Sequence, residues 1–151
     1  MGSEDTRARI ATFLAAHSTL SLATLAPGGS PMAASLFFAA DDELSLYWLS
    51  SGASRHSQNI VEQPAVDITV HNETRSWADI AGVQMQGQAA TVPAGGPWQA
   101  AWTLYLAKFP FVAKMQAEVA KSNFYVFTAN WMRLIDNRLG FGHKDEIGAL
   151  K

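Results

Sequence analysis

Apolar positions along this chain follow two periods, and the switch between them marks most of the element boundaries. Near the N-terminus Ile10, Phe13 and Leu14 recur at helical spacing behind Glu4 and Asp5, whose negative charge suits the first turn of a helix. The pattern predicts a helix over residues 4–16 with Ser3 as its cap. The period then drops to two. Residues 19–25 set Leu20 and Leu22 against Ser21 and stop at Ala26-Pro27-Gly28-Gly29-Ser30, a strong turn signal. A second strand is expected over residues 32–39, closed by Asp41-Asp42-Glu43, and a third over residues 44–49, where Leu44, Leu46 and Trp48 alternate with Ser45 and Tyr47. Together these three read as an antiparallel meander.

Beyond them, the small-residue loop 50–54 leads into a helix over 55–63 that Pro64 ends. Strands are expected over 66–70 and 82–92, separated by a loop at 71–79. Pro97 suits the first position of a helix that carries Trp98, Trp102, Tyr105 and Leu106 on one face. Those rings read as a packing stripe. Pro110 interrupts the helix, a second helical piece runs to about residue 121, and a last strand covers 124–134 before the tail 137–144. Six strands with helices confined to the ends and two insertions predict a mainly β domain, a six-stranded antiparallel barrel with helical additions. The whole span 1–151 reads as one domain with a helical insertion at 97–121.

Composition sharpens this picture in one respect. Charged residues make up 16% of the chain, against about 25% in an ordinary soluble domain. No Asp, Glu, Lys or Arg occurs over residues 10–40 or 80–107. The first of these stretches opens like an export signal, but His17, Ser18, Thr19 and Ser21 interrupt it, Pro27-Gly28-Gly29 breaks it, and Glu4 and Asp5 sit where a signal is basic. The expectation is a cytoplasmic protein with no membrane partner, its uncharged surface hidden against something. A net charge of −2 without a basic block argues against nucleic-acid binding. The absence of Cys excludes disulfides, thiolate metal sites and a cysteine nucleophile.

Candidate chemistry concentrates at Ser50 to His56. A turn of small residues precedes a helix whose first residues are Arg55 and His56, with Ser54 as cap. Helix N-termini expose unpaired N–H groups, arginine matches phosphate oxygens in a bidentate fashion, and serine hydroxyls donate as well. The plain alternative is a Ser-capped surface helix. Gln84, Gln86 and Gln88 share one face of a strand, as ordinary solvent-facing residues or as amides reading a heterocycle edge. Gly87 between them admits a ring or another backbone. Ala33, Ala34 and Ser35 keep the second strand low enough for a planar ligand. Trp77 and Arg75 lie in a loop, where the aromatic covers a ligand or shields the barrel end. The four histidines are scattered without ligand spacing, so no metal site is expected.

In their order, these features resemble the FMN-binding split-barrel superfamily, typified by pyridoxamine 5'-phosphate oxidase. The residues that carry the resemblance are the strand–turn–strand over 21–38, the strand end at 46–50, Ser54-Arg55-His56 and the segment 82–87. Two further segments, 109–113 and 134–144, are similar to a largely uncharacterised YhbP-like bacterial branch. The resemblance implies a split barrel, a homodimer and FMN in a cleft at the dimer interface. It implies that Arg55 holds the FMN phosphate with Leu49, Ser50, Ser54 and His56 around it, His56 standing where relatives often have Lys. It also implies that the backbone of Ala34, Ser35 and Leu36 follows the ring edge and that Gln84 reaches its polar rim. The strand-2 Arg and Lys of the oxidase are replaced by small or apolar residues near Ala33 and Phe38, and its C-terminal substrate-phosphate residues have no counterpart, so vitamin-B6 oxidation is not implied. The expected function is an FMN-dependent oxidoreductase or flavin reductase using a nicotinamide donor on a small molecule, with Arg138, His143 or Lys144 of a second chain as substrate contacts. The alternatives are a non-catalytic flavin, haem or deazaflavin binding module or redox sensor, and a structural dimer whose flavin cleft has decayed.

Overall fold

A computed structural model of the chain describes residues 2–148, so residues 1 and 149–151 of the expected domain lie outside the described residues. Helix α1 (Ser3–Ala15) starts one residue earlier than expected, with Gly2 in the extended cap conformation and Ser3 already inside the helix. The cap role read for Ser3 is therefore corrected: a cap needs non-helical backbone, and Gly2 supplies it. Ile10 and Leu14 are fully buried, whereas Phe13 flanks them and stacks on His17 at 4.0 Å between ring centroids.

Among the described residues, eight strands form one antiparallel sheet. They are β1 (Thr19–Leu25), β2 (Pro31–Phe37), β3 (Ala39–Ala40), β4 (Leu46–Ser50), β5 (Ala65–His71), β6 (Ala81–Thr91), β7 (Asn123–Asp136) and β8 (Lys144–Gly148). Their order is β2-β1-β5-β6-β7-β4-β3, with β8 on β7. The expected second strand divides at Phe38, whose N–H donates to the Ser18 carbonyl as the last rung toward β1. One half pairs with β1 and the other with β4, at opposite ends of the order. A strand bent between the two ends makes the sheet curl, which is the split-barrel architecture. The count is thus eight, not six, through this division and through β8. That last strand escaped sequence reading because Ile147 is its sole large apolar residue, too little for a period.

The helices fill in around the curl: α2 (Arg55–Glu62) closes one end, while α3 (Gly96–Lys108) and α4 (Gln116–Ala120) form the expected insertion. Leu20, Leu22, Trp48, Ile68, Val83, Met85 and Phe127 meet inside the barrel. Outside it, α3 covers β4 and the first half of β7, where Tyr105, Phe109 and Phe124 make a second core. Trp98 and Trp102 stack at 5.8 Å in that layer, as the packing stripe expected of them. Lys108 fastens α3 to α1 by donating to the Leu14 and His17 carbonyls at 3.2 and 2.6 Å, and burial pulls its pKa down to about 8.

A β-bulge decides which residues of β7 face inward. The register with β6 shifts between Gln86 and Gly87, leaving Asn130 without a partner. Before it, Tyr125 and Phe127 point into the barrel; after it, Met132 and Leu134 do. Gly87 faces the β7 backbone here, so of the two neighbours expected for it, the backbone is the one found.

Charge enters the fold at the joint of α1, β7 and β8. Asp136 accepts from Arg138 Nε and Nη2 at 2.8 and 2.9 Å, and Arg9 reaches both Asp136 and Asp145 at 3.5 and 3.2 Å. The Arg138 hydrogen bonds hold the Asp136 carboxyl below its usual range, against the opposing effect of burial. A carboxyl with a depressed folded pKa contributes stability above its unfolded pKa and loses it as the pH falls through the folded value. Asp136→Asn should therefore cost about 1–2 kcal/mol at pH 7. Urea titrations should show wild type and variant beginning to converge at about pH 4 and meeting once the pH has fallen through the depressed Asp136 pKa; a gap that persists after that carboxyl is protonated would assign the loss to packing.

Candidate functional site

The turn from β4 into α2 is built by its own serines. Ser54 sits in the extended cap conformation and its Oγ accepts from the Ser57 N–H, while Ser54 N–H and the Ala53 N–H bond back to Ser51. This arrangement leaves the N–H groups of Arg55 and His56 without an intrahelical partner. His56 folds back toward the strand it follows, so that Nε2 lies 2.6 Å from Ser50 Oγ and 3.2 Å from Ser54 Oγ. Burial lowers the His56 pKa, which keeps the imidazole neutral at neutral pH. Chemically, the cluster offers hydroxyls and an imidazole able to gain a proton.

Arg55 takes the other side of the helix start. It is exposed and lines a crevice of about 620 Å³ with Ala26, Pro27, Gln58 and Asn59. No hydrogen bond or ion pair engages its guanidinium among the described residues. The buried Asn59 Nδ2 donates to Thr24 Oγ1 at 3.0 Å, pinning α2 to β1. The expected phosphate residues Ser50, Ser54, Arg55 and His56 thus converge on one turn. Leu49 does not join them; its side chain packs into the layer under α3.

The expected ring-binding residues lie elsewhere on the sheet. Residues 34–36 belong to β2, the strand that opens the sheet order, paired with β1 on one side. Ser35 faces outward, whereas Ala34 and Leu36 oppose the buried Leu22 and Leu20. Cross-strand pairing runs Ser35–Ser21–Thr69–Gln84–Arg133 over the outer face, which puts Gln84 three strands from Ser35, about 14 Å. Arg133 Nη1 donates to Gln84 Oε1 at 3.4 Å, and both line a groove of about 450 Å³ with Ser21, Thr69 and Trp131. Sequence reading missed Arg133 and Trp131 as neighbours of the glutamines, because the bulge hides the register that brings them there.

The remaining candidates are held within their own chain. Arg138 is bound to Asp136, His143 Nε2 lies 2.9 Å from Asp145, and Lys144 Nζ donates to the Gly142 carbonyl. Trp77 is 77% exposed and lies against the still more exposed Phe141, ring centroids 6.4 Å apart. No cluster of metal-ligating side chains occurs among the described residues. No helix among them is long and apolar enough to cross a membrane.

A family model described as pyridoxamine 5'-phosphate oxidase matches residues 6–136, a span that includes the turn cluster, the β2 edge and the outer groove. The chain belongs to the pyridoxamine 5'-phosphate oxidase family. Its relatives include a UPF0306 protein of Yersinia pestis bv. Antiqua, 30% identical over 112 residues, which are 74% of this chain and 72% of the relative. Among solved structures, a conserved hypothetical protein from Mycobacterium tuberculosis superposes with a TM-score of 0.76 at 22% identity, covering 99% of this chain and 93% of that one. The haem-binding protein from Mycobacterium smegmatis gives a TM-score of 0.77 at 21% identity over 94% of this chain. This chain spans 57% of that neighbour's length. At such identities the structural likeness shows the fold alone.

Proposed function

We propose that this chain is an FMN-binding homodimer and acts as a flavin-dependent oxidoreductase on a small molecule, with a nicotinamide donor. The observation that carries the reading is the unengaged Arg55 guanidinium at the head of α2, beside Ser50 at the end of β4, the cap Ser54 and His56. That donor set fits a phosphate monoester: a two-pronged cation, hydroxyls and two open backbone N–H groups. The flavin, when bound, supplies the hydride or electron transfer, and the protein supplies position and hydrogen bonds. Arg55 and the turn hold the phosphate. The β2 backbone at Ala34, Ser35 and Leu36 offers donors and acceptors to a ring edge, and the Gln84 amide can do both. A second copy of the chain would cover the outer face where Ala23, Ala33, Ser21 and Thr69 stand uncovered by any helix, which would account for the charge-free stretches.

Titration of the purified protein with FMN, followed by quenching of flavin fluorescence, tests the reading; binding in the micromolar range or tighter is expected. A colourless protein that leaves FMN fluorescence unchanged would sink it. If FMN binds, NADH or NADPH oxidation with and without an added acceptor separates an enzyme from a carrier. Light scattering tests the dimer, and a stable monomer at micromolar concentration counts against it.

Haem binding is a second reading, supported by His143. Its Nε2 is fixed by Asp145 while the side chain is 34% exposed, an arrangement that orients the other ring nitrogen as a ligand. Added haemin should then give a Soret band that His143→Ala abolishes.

A further inference from the structure

We propose that His56 is the phosphate-sensing residue of this site: it takes up a proton as a terminal phosphomonoester binds, so that the site selects FMN over riboflavin through a protonation step. The inference rests on the FMN reading above and concerns how that ligand is recognised.

The geometry carries it. His56 Nε2 lies within hydrogen-bond reach of two hydroxyls, Ser50 Oγ at 2.6 Å and Ser54 Oγ at 3.2 Å, and those hydroxyls lie 3.4 Å from each other. Ser54 Oγ also contacts Ser51 O and Ser57 Oγ at 2.8 and 2.7 Å, so its single proton has two competing acceptors. Ser50 can donate to a neutral Nε2 in the free protein. Once protonated, the imidazole becomes a donor at both nitrogens, and the Ser50 proton is released for a phosphate oxygen. The groups bonded to the imidazole are these hydroxyls, Ser50 from β4 and Ser54 from the turn, with Ser57 behind Ser54 on α2, while Asn123 and Tyr125 of β7 stand beside the turn at Gly52. Burial alone depresses its pKa, with no carboxylate acting on it. The neighbouring cation is Arg55, a single positive charge whose crevice Glu62 also lines.

A phosphate monoester approaches two negative charges at neutral pH, because its second pKa lies near 6. One guanidinium leaves such a dianion half-compensated in a partly buried turn. Proton uptake by His56 supplies the second positive charge on binding and removes it again on release. A lysine at this position would carry its charge permanently; histidine makes the same compensation depend on pH. Riboflavin, without a phosphate, would not draw the proton.

The test compares FMN and riboflavin titrations of the purified protein from pH 7 to 8.5, above the phosphate's own titration. Calorimetry in HEPES and Tris counts the protons taken up, and melting curves confirm that the variants fold. FMN affinity should fall by up to about tenfold per pH unit, with about one proton taken up per ligand, while riboflavin binding stays flat. His56→Lys should bind FMN with no pH slope, and His56→Gln should bind more weakly, also with no slope. FMN affinity that is flat with pH and free of buffer-dependent heat overturns the proposal while leaving the FMN reading standing. A slope retained in His56→Gln overturns it equally. Failure of FMN to bind at any pH removes the FMN reading and this inference together.

Discussion

Gly87→Ala should lower the unfolding free energy by about 3 kcal/mol or more, at the upper end of what overpacking costs. A Cβ at this position would come within 2.8 Å of the Ala129 Cα and closer still to the Thr128 carbonyl oxygen. Both obstacles are backbone, in the middle of the β6–β7 ladder and beside the bulge at Asn130. A flexible side chain could swing aside, but a paired strand cannot move without breaking hydrogen bonds on both sides. The approach also holds the shift that turns Met132 and Leu134 inward, so a displaced β7 would expose apolar side chains along half its length. Urea denaturation followed by tryptophan fluorescence should show either a large fall in midpoint or loss of the cooperative transition. A wild-type midpoint would mean that the strands pair more loosely there than the register requires.

Arg55→Ala should weaken FMN binding by about 10–100-fold, the equivalent of losing charged hydrogen bonds worth about 1.5–3 kcal/mol. Stability should move by no more than about 0.5 kcal/mol, since an exposed side chain without a partner holds nothing in place. That contrast gives the experiment its force: fluorescence quenching should change while the melting temperature does not. Arg55→Lys should recover part of the affinity, because an ammonium keeps the charge and loses the planar two-pronged geometry. Full affinity in Arg55→Ala would place the phosphate elsewhere and remove the main support for the proposed function.

The local patterns were legible where a residue's own neighbours decide its conformation. Alternation of Leu20 and Leu22 with Ser21 marked β1 at the bounds observed, and Ser54 ahead of Arg55 marked the start of α2. The turn proposed to hold the phosphate was legible as a candidate too, because a cap, a cation and small residues are contiguous in the chain. Ser3 misled, since its place inside or ahead of the helix depends on the backbone of Gly2. The bend at Phe38 was illegible for another reason: an unbroken apolar run reads the same whether it serves one partner strand or two. Only β1 at one side and β4 at the other divide it.

By itself, then, the sequence determined the mainly β class, the order of elements, the helical insertion and the turn carrying Ser50, Ser54, Arg55 and His56. These depend on side-chain periods of two or 3.6 residues and on turn chemistry, all of which act within a few residues. The tertiary structure alone decided that His56 folds back onto Ser50 while Arg55 points away unpaired, and that Gln84 lies beside Arg133 and across the sheet from Ser35. It also decided that β7 changes face at Asn130 and that β8 exists at all. Each of these follows from a register between segments far apart in the chain, and register is set by packing and hydrogen bonding between strands, about which a local pattern carries no information.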